Sequence, residues 1–204
     1  MTRVTTWLAC VAMSGLLGAG GCAGLGLGGE GGKLAVSSQS SPGTVLSSAF
    51  DSGVYSFDDE NNLVVLLFDG PPDNPRQAVT LRMFWRPRPA STPIDRDATN
   101  VTIQYVVFSG DARDTQTQVG VYSGSGYLFP KTKPGADPLA ASVWDASLRL
   151  SDRSEDFVDL LGKAQLKGGF TATRDDVATE ARLQQLTVLL RERLTYPRLV
   201  MLDR

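Results

Sequence analysis

Short hydrophobic segments separated by turn residues dominate the chain from residue 54 to residue 172. Apolar and polar positions alternate with a period of two in most of them, which is typical of β-strands with one buried face. The predicted strands are 54–57, 63–68, 79–86, 101–108, 119–122, 127–129, 144–150 and 164–172. The pattern predicts a mainly β, antiparallel, β-sandwich-like domain with about eight strands.

Two local features of this pattern carry specific predictions. Ser123-Gly124-Ser125-Gly126 lies between two of the short strands and predicts a hairpin turn. Trp144 alternates in phase with Ala146, Leu148 and Leu150, so we expect its side chain to face the core.

One segment near the C-terminus, about 174–194, has the period of an amphipathic helix instead. Thr173, followed three residues later by Asp176, is predicted to cap its N-terminus. Five leucines fall on one stripe at 100° per residue, which predicts a helix packed on a sheet face: Leu183, Leu186, Leu189, Leu190 and Leu194. Val177, Ala181 and Val188 form a weaker opposite stripe where a partner could dock.

The segment 22–48 is rich in Gly at its start and in Ser afterwards, with few residues to bury. Such a composition is typical of a flexible tether. The predicted organisation is therefore 1–21 as an export signal, 22–48 as a tether, and 49–204 as the β-domain with its C-terminal helix.

The first 22 residues have the order of a secretory signal peptide. Arg3 precedes an apolar run of about 11 residues, whereas a membrane-spanning helix needs roughly 20. The small residues Ala19-Gly20-Gly21 before Cys22 resemble the lipobox of bacterial lipoproteins. That resemblance implies that Cys22 is lipid-modified and becomes the first residue of the mature chain. Ordinary cleavage after Gly21 would instead release a soluble secreted protein.

The resemblance also implies a location. A lipidated Cys22 would hold the protein at a membrane of the cell envelope through its lipid anchor. Ala23 stands where some bacteria of this class use Asp to retain a lipoprotein at the inner membrane, so the outer membrane is favoured. The partners expected there are an unknown envelope protein or a glycan.

The net charge of the chain and the residue types that it lacks limit the functions that we expect. Removal of Arg3 with the signal leaves 19 basic and 22 acidic side chains, a net charge of −3. The sequence also has no long basic block, so nucleic acid is not an expected partner. The chain contains no His, and its two Cys are Cys10 and Cys22, so the domain has no Ser-His-Asp or Cys-His chemistry. We therefore expect a non-enzymatic protein without a cofactor. A carboxylate-based hydrolase stays open as a third class.

Two acidic loops are candidate sites for Ca²⁺, which prefers oxygen ligands. One contains Asp58, Asp59 and Glu60, and the other contains Asp95 and Asp97. Neither has the order of an EF-hand, and Asp and Asn are also ordinary turn residues. The alternative for each loop is a simple turn.

Aromatic residues provide a second set of candidates. Trp85, Arg86 and Arg88 combine an indole with two cations before and between prolines, and could contact an anionic lipid, a glycan or an acidic partner. Trp85, Trp144, Tyr105 and Tyr122 could form a carbohydrate-stacking surface, although their positions in alternating strands favour the core.

Together these patterns predict a lipid-anchored envelope protein that acts as a non-enzymatic structural or assembly module. The alternative is a lipoprotein module that binds a glycan through its aromatic residues or Ca²⁺ through its acidic loops.

Overall fold

The structure is a computed structural model that describes residues 31–41, 43–83, 99–133 and 135–194. In that part of the chain it contains nine strands and one helix. Their bounds are β1 Gly31–Ser38, β2 Val45–Phe50, β3 Ser52–Phe57, β4 Leu63–Asp69, β5 Gln77–Met83, β6 Val101–Phe108, β7 Val119–Pro130, β8 Leu139–Arg153, β9 Ala164–Arg174 and α1 Asp176–Arg191.

The nine strands form one continuous sheet in the order β2-β1-β9-β3-β4-β5-β6-β7-β8. Strand β9 also pairs with β8, so the sheet closes on itself. All pairings are antiparallel except the short one between β9 and β3, where Thr173 lies opposite Val54. The predicted fold class, a mainly β antiparallel domain with one C-terminal helix packed on it, is confirmed.

The sheet encloses the larger of two hydrophobic cores. Every strand contributes side chains to it, including Leu34 of β1, Phe50 of β2 and Leu166 of β9. Tyr55, Tyr105 and Tyr122 are its largest fully buried side chains. Because side chains alternate along a strand, one face of the sheet lines this core and the other face is left for the helix or for solvent.

The second core lies between the outer face of the sheet and α1. The five leucines of the predicted stripe are all buried there, against Val54, Leu66 and Phe108 among others. The helix is shorter than the predicted 174–194, and its N-cap is Asp175 rather than Thr173. Asp175 Oδ1 accepts a hydrogen bond of 2.8 Å from Ala178 N, while Thr173 still belongs to β9.

Arg193 connects the end of the helix to the loop between β6 and β7 through hydrogen bonds. Its guanidinium donates to the carbonyl oxygens of Leu189 and Ala112, and to that of Asp114 at 2.9 Å. Its side chain is 1% exposed. Carbonyl groups at a helix C-terminus need donors, and a buried cation needs acceptors. The two terminal nitrogens of Arg193 meet both needs here, while its buried Nε has no hydrogen-bond partner among the described residues.

The prediction of a flexible tether over 22–48 is wrong from Gly31 onwards. Strand β1 lies between β2 and β9, and it pairs with β9 from Gly31 to Ser38. Leu34 and Val36 are buried, whereas the polar composition around them hid their alternation in the sequence. The strand is stabilised by a partner more than 120 residues away in the chain, which local composition does not reveal.

The predicted hairpin at residues 123–126 is also wrong, because β7 runs straight through it. A Cβ on Gly124 would lie 1.8 Å from the carbonyl oxygen of Ser147, and one on Gly126 would lie 2.5 Å from the Cβ of Ala146. These glycines therefore allow the backbone of β8 to approach closely rather than making a turn.

Candidate ligand-binding site

Several predicted site residues lie outside the described residues. They are Cys22, Trp85, Arg86, Arg88, Asp95 and Asp97. The first acidic loop, with Asp58, Asp59 and Glu60, lies between β3 and β4 and is described in full.

Asp58 organises this loop as a turn. Its Oδ1 accepts hydrogen bonds from Glu60 N at 3.0 Å and Asn62 N at 2.8 Å. Its Oδ2 accepts from Asn62 Nδ2 at 3.0 Å and from a terminal nitrogen of Arg82 at 2.7 Å. Both carboxylate oxygens therefore already have donors. Within the described residues, no group of three or more His, Cys, Asp or Glu side chains is placed to hold a metal ion. The calcium site stays a prediction.

These contacts make the loop sensitive to pH. Burial raises the pKa of Asp58, but the hydrogen bonds from Asn62 and Arg82 outweigh it and hold the pKa below its ordinary value. A carboxyl with a lowered folded pKa stabilises the fold above its unfolded pKa, about 4, and loses that contribution as the pH falls through the folded value. Asp58→Asn should therefore lower the unfolding free energy at pH 7, and the difference from wild type should shrink below about pH 4. Urea unfolding across this pH range measures it.

Asp59→Asn is the matched control, since Asp59 is the exposed neighbour of Asp58. We expect the control to behave as wild type throughout. An equal loss of stability in both variants would contradict the role given to Asp58.

The aromatic candidates separate into two groups. Tyr105 and Tyr122 are each 1% exposed and lie in the inner core, as the alternation favoured. The Tyr122 hydroxyl donates to Asp159 Oδ1 at 2.6 Å, and the Tyr105 hydroxyl donates to Gln77 Oε1. Burial, together with the nearby carboxylates, raises the pKa of both hydroxyls. They therefore stay neutral, and both tyrosines contribute to the packing of the core.

Trp144 is different, and its predicted core position is wrong. The pairing of β8 with β9 jumps from Val143 opposite Gly168 to Ala146 opposite Leu166, which is a β-bulge. The bulge contains Asp145 with a φ of 49°. An extra residue reverses the alternation, so Trp144 leaves the core face and is 59% exposed on the outer face. Its Nε1 donates to Ser142 Oγ at 3.1 Å, which orients the indole.

The outer face beside Trp144 forms an open cleft of about 760 Å³ across β8, β9, β1 and β2. Residues that lie opposite one another on neighbouring strands share a face, and one such row crosses its floor. This row is Ser142, Gly169, Lys33 and Ala49. Because three of the four are small, the floor of the cleft lies lower than the larger side chains that line it, which include Trp144.

Three lysines line this cleft: Lys33 of β1, Lys131 after β7, and Lys167 of β9. Lys131 Nζ lies 4.0 Å from the position a Cβ would occupy on Gly169, so its ammonium lies over the floor. In the described ranges, no ion pair involves any of the three. Among the described residues that line the cleft, none is acidic. We call Lys33, Lys131, Lys167, Trp144 and Gly169 the lysine cleft.

Two adjacent glycines shape this site in different ways. Gly168 has a φ of 148°, and a Cβ there would lie 2.2 Å from the carbonyl oxygen of Lys33. At Gly169 the nearest heavy atom would be 3.7 Å away, so the position is open towards the cleft. Sequence reasoning missed this site; paired glycines inside an alternating strand often mark a close backbone approach, and they are the signal that could have indicated it.

Comparisons with known proteins add no relative. No protein-family model, curated protein or solved structure matches the chain. Among the described residues, no helix has the length and hydropathy required to cross a membrane.

Proposed function

We propose that this protein is a lipid-anchored, non-enzymatic module of the bacterial cell envelope that binds an anionic ligand in the lysine cleft. The observation that carries the proposal is the cleft itself, which is lined by an exposed indole and by three ammonium groups that have no carboxylate partner among the described residues. Unpaired cations in a concave site favour an acidic ligand, because that ligand supplies the missing counter-charge.

The chemistry of the lining supports binding rather than catalysis. Ser142 contributes the hydroxyl in the described lining, and that hydroxyl accepts the hydrogen bond from Trp144. Nucleophilic lysines are activated by desolvation in an apolar pocket, whereas Lys33, Lys131 and Lys167 are exposed.

The predicted lipid anchor limits how far the lysine cleft can lie from the membrane. If Cys22 carries lipid, residues 23–30 are the chain between the membrane and β1, and eight residues span at most about 29 Å. This leader is much shorter than the tether expected from composition. Lys33 is the third residue of β1, so the cleft would remain close to the membrane that holds the protein.

An assembly role is the second candidate. The outer stripe of α1 carries Val177, 81% exposed, and Val188, 53% exposed, where a partner protein could dock. Calcium binding at the acidic loops is a weaker proposal, because Asp58 is engaged by Arg82 and Asn62.

The anchor is tested by intact mass and membrane fractionation of the wild type and Cys22→Ala, both expressed in a bacterium. We expect the wild type to carry lipid and to sediment with membranes, and the variant to lose both properties. A wild type that is unmodified and soluble would contradict the anchor and would indicate a secreted binding protein.

A further inference from the structure

We infer that the ligand of the lysine cleft is an acidic oligosaccharide, a short chain of sugar rings that carry carboxylates. The inference rests on the proposed binding function and names the chemical class that the site accepts. Three properties of the cleft support it, namely its distributed positive charge, its oriented aromatic surface and its concave shape.

The positive charge is spread over the cleft rather than concentrated at one point. Lys33 lies opposite Gly169, and Lys167 is two residues from Gly169 on the same strand. Such diagonal neighbours across an antiparallel pair are roughly 7–8 Å apart. Lys131 approaches the same floor from the connection after β7. A ligand with several separated carboxylates can contact more than one of these ammonium groups at the same time.

The lysines also repel one another. Like charges held close together on neighbouring strands destabilise the fold. A bound polyanion would remove that repulsion, so the cleft is stabilised most when it is occupied. A site of this kind has its cations arranged for a ligand rather than for the stability of the domain.

The aromatic surface continues beyond Trp144. Tyr127 lies directly opposite Trp144 on β7, and Phe129 lies directly opposite Ser142. The rings of Tyr127 and Phe129 stack with centroids 6.1 Å apart, and Phe129 is 50% exposed. The apolar face of a sugar ring can pack on such flat aromatic surfaces while its hydroxyl groups stay in water. A simple inorganic anion would not need this strip.

The shape of the site favours an oligosaccharide over a lipid surface. A volume of about 760 Å³ lies within the range of small-ligand sites, about 300–1,000 Å³. The ammonium of Lys131 lies over the floor of the recess, and this concave arrangement suits a discrete ligand of several rings better than a flat layer of headgroups. Acidic lipid is therefore an alternative outcome of the test and not the inference.

The test uses residues 22–204 with Cys22→Ala, so that an attached lipid does not itself carry the protein to vesicles. Hexagalacturonate is titrated by calorimetry, with a neutral hexasaccharide of galactose as its matched control. We expect the acidic sugar to bind, with an affinity that falls as salt is added, and the neutral sugar to bind at least about tenfold more weakly.

Variants assign the binding to the cleft. Lys131→Gln and Lys167→Gln should each weaken binding of hexagalacturonate about tenfold or more, and Trp144→Ala should weaken it comparably. Lys163→Gln is the matched control, since Lys163 is exposed but does not line the cleft. Thermal unfolding separates lost binding from lost folding, because the Lys167→Gln variant should be at least as stable as the parent.

The same variants decide between the alternatives. Equal binding of neutral and acidic hexasaccharides would overturn the acidic oligosaccharide and, with it, the anionic ligand of the proposed function. Binding to vesicles of phosphatidylcholine with phosphatidylglycerol, lost on Lys167→Gln and without any binding of hexagalacturonate, would overturn the saccharide in favour of acidic lipid. Failure of both the saccharides and the vesicles to bind would overturn this inference and the proposed function together.

Discussion

Gly168→Ala is expected to destabilise the domain by about 3 kcal/mol or more. A φ of 148° is strained for any residue with a side chain, which costs about 1–3 kcal/mol. The added Cβ would also lie 2.2 Å from the Lys33 carbonyl oxygen and 2.9 Å from the Leu34 Cα, both backbone atoms of β1. Since β1 cannot move without breaking its pairing with β9, both effects add. Denaturant unfolding measures the loss.

Gly169→Ala is the control for this substitution, one residue along the same strand. Its Cβ would have no heavy atom closer than 3.7 Å, so we expect the fold to be kept within about 0.5 kcal/mol. The added methyl group would raise the floor of the lysine cleft near Lys131, and any effect should appear in ligand binding rather than in unfolding. Equal destabilisation by both substitutions would show that β1 does not pack against β9 as described.

Leu186→Ala is expected to lower the unfolding free energy by about 2–5 kcal/mol. Leu186 is fully buried between α1 and the outer face of the sheet, together with Leu66 and Phe68 of β4. Truncation removes buried apolar surface and leaves a cavity, because the rigid sheet on the other side cannot collapse into the space. Urea unfolding monitored by circular dichroism provides the measurement.

Val188→Ala serves as its control on the opposite side of the same helix. Val188 is half exposed, and alanine has the higher helix propensity, so stability should change by no more than about 0.5 kcal/mol. A loss as large as that of Leu186→Ala would mean that the outer stripe of the helix is buried against something in solution. Such a result would support the docking role proposed for that stripe.

The residues of the lysine cleft explain why the sequence did not predict the site. Lys33, Lys131 and Lys167 are widely separated in the chain, and none belongs to a motif. Lys33 and Lys167 share one face only because β1 pairs with β9 in one particular register. A shift of that register by one residue would turn Lys33 towards the core.

Trp144 illustrates a further limit of pattern reasoning. Strict alternation places it with Ala146 and Leu148 on the core face, and both of these are indeed buried. The bulge at Trp144 and Asp145 breaks the phase at that point. Bulges depend on the local fit of two strands, so a period of two along one strand does not reveal them.

The sequence by itself determined the elements that have a strong period. The alternation of 101–108 and the leucine stripe of the helix were sufficient, because a half-buried strand or helix must match its apolar positions to its own geometry. The tertiary structure alone decided which strands meet, where the register shifts and how the sheet closes through β9. Those choices depend on contacts between residues far apart in the chain, and the lysine cleft is one of their results.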